Sequence, residues 1–399
     1  VSPALAADGL VRRLEHLTAA REEAGEVFFA AEGERIARLC HAMAERFAAG
    51  GRLLACGTSP AGRSDARHVA VEFVHPVIVG KRALPALALT GDGAPLALEL
   101  DLLSRAGDMV IVFDAGDRAA HGLAAARGCL TIGFANGGAE WAFSAPGEDP
   151  FIAQEIVETT YHMLWEHVHV FFEHRGLLSG RDAEPVHDAG ASSFLYPFLA
   201  EAEDDIHAVL ADVRGSVAMK AAEIGALRTQ TLTDNRDALV AAAVSLREAL
   251  DARGTVLTMG NGGSATDAAD AVADLRSPPR DWPARAAIDL AEDPSILTAL
   301  ANDVGPGVLF QRQVIAHGRT GDVALSFSTS GNSENVIAAL VEARRRGMRT
   351  VAFAGYGGGR IAAEGLADHV VVTASQHIPR IQEAQASAWH ALRELVEFV

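Results

Sequence analysis

Short apolar runs alternate with longer stretches whose apolar positions recur every three to four residues, and this alternation is laid out twice along the chain. In the first half RLLACG (52–57), LPALAL (84–89), MVIVFD (109–114) and CLTIGFA (129–135) read as buried strands bounded by turn residues. Helical spacing fills the rest: an opening pair at about 9–30 and 31–49, a segment from Asp65 to about His75, and a long closing helix from about Pro150 to Glu173. In the second half helices at about 197–225 and 235–252 repeat the opening pair. Strands then recur as TVLTMG (255–260), ARAAIDL (284–290), VALSFS (323–328), TVAFAG (350–355) and DHVVVT (368–373). Strands alternating with helices predict an α/β fold, here two three-layer α/β/α sandwiches, each around a mainly parallel sheet.

The two halves share punctuation as well as order. Gly-Asp precedes the middle strand in both, at Gly107-Asp108 and Gly321-Asp322, and Arg-Gly ends a helix in both, at Arg127-Gly128 and Arg346-Gly347. His68 and Glu72 stand 202 positions before Asp270 and Asp274, while Gln154 and His162 stand 228 before Gln382 and His390. An internal duplication follows. Residues 176–200 mix Gly, Pro, Ser and Asp without periodicity, so the predicted organisation is a first domain at 1–180, a linker at 181–196 and a second domain at 197–399.

The chemistry is divided between the copies. In the second, GNGGSATD starts at Gly260 between a strand and a helix, where Asn261, Gly262, Gly263 and Ser264 offer backbone N–H groups and a hydroxyl to an anion; glycine needed only for the turn explains it equally well. STSGNSEN is the stronger signal. It brings Ser328, Thr329, Ser330 and Ser333 to a helix start, and capping accounts for one or two hydroxyls but seldom four. On RIQEAQASAWH, Gln382 and His390 reach the same side of one helix two turns apart.

The first copy has lost the loops, which read GTSPAGRSD and FDAGDRA, and Asp114 there is expected to matter little to phosphate binding. It keeps His68 and Glu72 at i and i+4, with Gln154 and His162 able to complete a divalent-metal set, zinc or a neighbouring transition metal. The alternative is an i,i+4 ion pair beside unrelated polar residues.

Composition narrows the partners. A net charge of −18 argues against nucleic acid or an anionic membrane surface, since both reward positive charge. Hydrophobic residues at 49% and charged residues at 22% describe an ordered globular chain. Cys40, Cys56 and Cys129 lack metal or redox spacing and read as buried thiols in a reducing cytoplasm. No run approaches the roughly 18 to 20 apolar residues of a membrane span.

The second copy, over about 235–399, resembles a sugar isomerase (SIS) domain of the phosphoheptose isomerase type, enzymes that convert sedoheptulose 7-phosphate to D-glycero-D-manno-heptose 7-phosphate. The resemblance rests on GNGGS with Asp267, the turn at Asn302 and Asp303, STSGNS, and RIQE with His390. It implies that the two loops hold phosphate and substrate, that the Asn302–Asp303 turn touches the sugar, and that Asp274 and His390 serve as acid and base; Gln382 and His390 fall on two of the family's metal positions, and in this copy Gln382 is expected to bind substrate. Asp274 stands where the family has Glu, and Asp270 where it has a metal-binding His. The first copy is similar over about 31–175, with His68, Glu72, Gln154 and His162 on the four metal positions and Glu72 and His162 as an alternative acid–base pair. Also implied are a small phosphosugar substrate, no nucleotide cofactor, and a homodimer or higher homo-oligomer, because neighbouring subunits line each active site in that family. A non-catalytic phosphosugar-binding protein and an amino-sugar phosphate isomerase or deaminase are the rivals.

Overall fold

The structure, a computed structural model, describes residues 3–76, 81–114, 117–134, 137–173 and 205–399, without the side chains of 3–7. The predicted linker at 181–196 lies outside the described residues. The chain begins with α1 (Pro3–Ala48), β1 (Leu53–Cys56), α2 (Pro60–Val74), β2 (Ala86–Leu89), α3 (Leu96–Leu103), β3 (Met109–Val112) and α4 (Arg118–Ala126). It continues with β4 (Leu130–Gly133), β5 (Trp141–Ala142), α5 (Pro150–Glu173), α6 (Ile206–Asp234) and α7 (Arg236–Asp251). The second sheet is built from β6 (Val256–Met259), β7 (Ala287–Asp289), β8 (Val323–Ser328), β9 (Arg349–Ala354) and β10 (His369–Val372). Its helices are α8 (Gly263–Arg276), α9 (Pro294–Asp303), α10 (Leu309–His317), α11 (Glu334–Arg345), α12 (Gly359–Ala363) and α13 (Ile378–Phe398).

The two sheets have one topology. The first runs β2-β1-β3-β4-β5 and the second β7-β6-β8-β9-β10, with every pairing parallel. Two compact units divide the chain: a first unit of Ala24–Glu223, and a second unit of Val1–Glu23 together with Ile224–Val399. The divisions fall inside α1 and α6, because Leu10, Leu14 and Leu17 belong to the core of the second sheet, buried with Val256, Leu325 and Phe353. The opening helix pair expected at 9–30 and 31–49 is one continuous helix. Gly25 and Gly33 are its weak points, and an isolated glycine costs only about 1 kcal/mol.

Alternation along β8 builds the two faces of the second sheet. Val323, Leu325 and Phe327 point into one core with α7 and α13, and Ala324 into another with Phe310, Val336 and Leu340. Phe327 stacks on Phe353 with centroids 4.9 Å apart. The first sheet buries Leu54, Val110 and Val112 with Ala120 and Ala124 of α4.

The shared punctuation has shared physical causes. The Asp108 carboxylate accepts from the Arg52 and Arg105 backbone N–H groups at 2.9 and 3.0 Å, and Asp322 accepts from those of Thr255 and Arg319, both at 2.8 Å. Each ties the start of one central strand to its neighbour. Gly128 and Gly347 sit at φ 78° and 73°, the left-handed conformation that closes a helix without a Cβ penalty. Asp322→Ala, which orphans two backbone donors beside a buried residue, is expected to destabilise the protein by about 2–3 kcal/mol, readable as a shifted denaturant midpoint at unchanged slope.

Candidate active site

In the second unit both glycine- and serine-rich loops leave the carboxyl ends of adjacent parallel strands, β6 and β8, and enter α8 and α11. Ligands of open parallel sheets gather at that edge. Gly260 is required there: a Cβ would lie 2.0 Å from the Ser264 carbonyl oxygen. Gly262 starts α8 at φ 60°. The loops are stapled by a reciprocal amide pair, Asn261 Nδ2 to Asn335 Oδ1 at 3.0 Å and Asn335 Nδ2 to Asn261 Oδ1 at 2.9 Å. Asn335 escaped the sequence analysis, although it is the last residue of STSGNSEN.

Neither α8 nor α11, the helices entered from these loops, has a side-chain cap at its start. Ser333 is the N-cap of α11, yet its Oγ lies 3.2 Å from Ser328 Oγ rather than on a first-turn amide. Ser328 Oγ accepts from the Gly331 N–H at 3.1 Å and Ser330 Oγ from the Asn332 N–H at 3.1 Å. Thr329, Ser330 and Ser333 are half-buried, while Ser264 and Asp267 are buried on α8. The result is hydroxyls and helix N–H groups around one edge, the composition of an anion cradle. Asn302 and Asp303 form the exposed last residues of α9 and not a turn; Asn302 Nδ2 donates to Asp303 Oδ1 at 2.7 Å.

Two helices bring Asp274 and His390 together. Asp274 Oδ2 lies 3.7 Å from His390 Nε2 and accepts from Trp389 Nε1 at 2.8 Å. All three side chains are buried. Burial raises the Asp274 carboxyl above the usual carboxylate range, against the pull of His390, Trp389 and Arg393. A carboxyl displaced in that direction is a stronger base than an ordinary carboxylate, and an imidazole stands beside it. Gln382 is buried on α13 one residue before Glu383, which is itself engaged by Arg380; Asp270 is half-buried on α8.

The first unit gathers a different set. On α2 and α5, His68 Nε2 and His162 Nε2 lie 3.4 Å apart, and His68 Nε2 is 3.9 Å from Glu72 Oε1. Potential ligand atoms of His68, Glu158 and His162 all fall within 4.8 Å of one another. Glu158 was missed by sequence reasoning. It stands four residues from both Gln154 and His162, on the same helix face, and the paired Gln-x7-His spacing drew attention past it. Gln154 is half-buried two turns before His162.

The donors fit a metal ion. Two nitrogens bound about 2.0–2.1 Å from a tetrahedral zinc stand roughly 3.3–3.4 Å apart, which matches the two imidazoles. Burial, then repulsion from His162, holds the His68 ring well below the usual imidazole range, leaving it in the neutral form that ligates. The Tyr161 hydroxyl meets His68 Nδ1 at 2.9 Å, an outer contact that turns Nε2 towards His162. Glu72 Oε2 is buried without a hydrogen bond, and burial pushes the Glu72 carboxyl up to about 7, with His162 opposing the rise and Glu166 adding to it. A cation between these groups would satisfy that oxygen.

The loops of the first unit are built differently. They lack the four-hydroxyl cluster of the second unit, yet Thr58 and Ser59 converge on the Asp114 carboxylate. Oδ2 accepts from Thr58 N at 2.5 Å and Thr58 Oγ1 at 2.7 Å, and Oδ1 from Ser59 Oγ at 2.5 Å and Ser59 N at 3.2 Å. The helices that follow these loops, α2 and α4, both carry side-chain caps: Ser59 Oγ accepts from Gly62 N, and Asp117 from Ala120 N. Burial alone would raise the Asp114 carboxyl, but the hydrogen bonds from Ser59 and Thr58 outweigh it and hold it below the usual range.

Among the described residues no helix is long and apolar enough to cross a membrane. A profile of the SIS domain matches residues 221–355. The phosphoheptose isomerase of Desulfovibrio desulfuricans is 43% identical over 173 residues, 43% of this chain and 81% of that protein. That of Aquifex aeolicus is 46% identical over 146 residues, 36% of this chain and 74% of that protein. The C-terminal domain of glucosamine-fructose-6-phosphate aminotransferase from Francisella tularensis overlays 96% of this chain and 94% of its own at a TM-score of 0.60, with 10% identity, which speaks to the fold alone. With a duplicated parallel sheet and relatives matched over most of their own length, the chain belongs to the SIS domain family, its C-terminal half resembling phosphoheptose isomerases.

Proposed function

We propose that the chain is a phosphosugar aldose–ketose isomerase whose substrate is sedoheptulose 7-phosphate and whose turnover takes place in the second unit. The observation that carries the reading is the pairing, in one unit, of two uncapped helix starts edged by Ser328, Thr329, Ser330 and Ser333 with the buried Asp274–His390 couple. The cradle would take the 7-phosphate, with Asn261 and Ser264 lining it. Asn302, Asp303 and Gln382 would meet hydroxyls of the chain. A net charge of −18 favours a small ester held by local donors over a polyanionic partner.

In the chemical step a base removes a proton from C1 of the ketose while an acid delivers one to the C2 carbonyl oxygen, giving an enediol. Loss of the O1 proton and protonation at C2 then complete the aldose, so that one hydrogen has moved from C1 to C2 and the carbonyl from C2 to C1. Asp274, made more basic by burial, takes the carbon-bound proton in this scheme. His390 serves the oxygens. In the first unit His68, Glu72, Glu158 and His162, with Gln154 beside them, would hold a divalent transition metal, zinc being the best match to two imidazoles and carboxylates. Such an ion would tie α2 to α5 and satisfy buried carboxylate oxygens. Three buried thiols, Cys40, Cys56 and Cys129, support a reducing cytoplasm as the setting, and self-association into a homodimer or larger assembly belongs to the same proposal.

Supplying sedoheptulose 7-phosphate, fructose 6-phosphate and glucosamine 6-phosphate side by side tests the reading: the heptulose should be isomerised fastest. Preference for glucosamine 6-phosphate would favour the amino-sugar reading. Binding of all three without turnover would favour a binding protein, a reading to which the Trp389 hydrogen bond on Asp274 lends some support. Ser330→Ala combined with Ser333→Ala is expected to weaken phosphosugar binding by about 10²–10³-fold or more, at roughly 1.5–3 kcal/mol for each hydrogen bond to a charged group. Unchanged affinity in a calorimetric titration would move the phosphate elsewhere.

A further inference from the structure

The two units place their loops at the same strand ends but fill them differently. Met109 pairs with Leu53, and Val323 with Val256, at the matching starts of the two central strand pairs. Asp114 and Ser328 each lie five residues beyond those starts, so they occupy one structural position. In the second unit Ser328 turns back into its own loop, bonding the Gly331 N–H and standing beside Ser333. In the first unit Asp114 reaches across to the loop after β1 and draws in two backbone N–H groups and two hydroxyls, all from Thr58 and Ser59. These are the donors a phosphate ester would otherwise meet at that edge.

Three features agree on what this does. A carboxylate oxygen is already seated on each donor pair. A Cβ on Gly62, in the first turn of α2, would come within 2.4 Å of Asp114 Oδ1, so the carboxylate lies hard against the helix start. Ser59 and Asp117 cap α2 and α4, the helices that follow the two loops of the first unit, whereas α8 and α11, which follow the matching loops of the second, have no side-chain cap. An anion approaching the first unit would meet a fixed negative charge with its donors taken, in a chain that is already acidic.

We propose that Asp114 is a built-in occupant of the first unit's anion cradle, and that it makes the duplicated chain bind phosphate esters at one cradle instead of two. Asp114 is thereby a specificity-determining residue: it leaves the first unit as a folded, metal-type half and directs the phosphosugar to the second. This rests on the reading of the second unit as the phosphate-binding one, and the test separates the two claims.

Inorganic phosphate at millimolar concentration is the probe, counted per chain by equilibrium dialysis on the whole two-unit chain. Wild type should bind one phosphate, and Asp114→Ser, which copies the second unit's residue, should bind two. Ser330→Ala with Ser333→Ala should bind none, and adding Asp114→Ser to that pair should restore one. Asp114→Gly, which empties the same space without supplying a hydroxyl, is the second variant should the serine chain fold poorly. It too should gain a site. Two phosphates on wild type, or no gain in either folded Asp114 variant, would overturn the proposal. No phosphate on wild type with one gained in Asp114→Ser would support the role of Asp114 and overturn the assignment of the second unit's cradle.

Discussion

Replacing His390 with alanine is expected to lower phosphosugar turnover by about 10²–10⁴-fold, the range a positioned acid–base group contributes. Binding should change far less, because the phosphate is held at the ends of β6 and β8 while His390 sits on α13 against Asp274. The loss should therefore appear in kcat and not in KM. His162→Ala supplies the contrast. His162 belongs to the first unit's cluster, so its removal should act through stability or metal content and leave kcat largely intact in protein that remains folded. Loss of turnover in His162→Ala at unchanged stability and substrate binding would transfer the chemistry to the first unit's residues.

The second large effect concerns metal. Protein purified without chelator is expected to carry a transition metal, and His68→Ala with His162→Ala to lose it. Perturbing even the outer contacts of a metal site costs about 10–100-fold in affinity, and this variant removes two nitrogen ligands. Elemental analysis reads the outcome directly, and chelator should lower the melting temperature of the wild type but not of the variant. Glu158→Ala and Gln154→Ala measured separately would tell which of these α5 residues completes the set: Glu158 is the one the geometry gathers with the imidazoles. Metal content unaffected by the double histidine change would place the ion elsewhere or exclude it.

Much of the architecture is legible in the sequence because its causes are local. Short apolar runs, a Gly-Asp before each central strand and an Arg-Gly after the following helix locate nine of the ten strands of two sheets with one topology by periodicity and turn chemistry. ARAAIDL reduces to three strand residues and LPALAL to four, since ladder length depends on a partner strand that a local pattern does not contain. The two-residue β5 at Trp141–Ala142 has no apolar run to announce it. The compact units were hidden for a different reason. Leu10, Leu14 and Leu17 show helical spacing in the sequence, but nothing local says that they pack with the sheet some 240 residues later.

The candidate site divides along the same line. His68, His162, Asp274 and His390 could be found from spacing because α-helical geometry turns spacing into direction. Glu158 lay on the same face and needed only a search at i+4. Asp114 could not be found that way. Its importance comes from a through-space reach to Thr58 and Ser59 on a different loop, and a carboxylate after a strand has no signature that separates such a reach from ordinary surface charge.

The most direct test of the central claim is to incubate the purified full-length chain with sedoheptulose 7-phosphate in deuterium oxide and follow the sugar by NMR. Proton transfer through an enediol at the second unit predicts aldoheptose 7-phosphate with solvent deuterium incorporated at C2, abolished in His390→Ala and retained in folded His162→Ala. Recovery of unlabelled, unconverted sedoheptulose 7-phosphate, under conditions where the chain demonstrably binds it, would contradict the account.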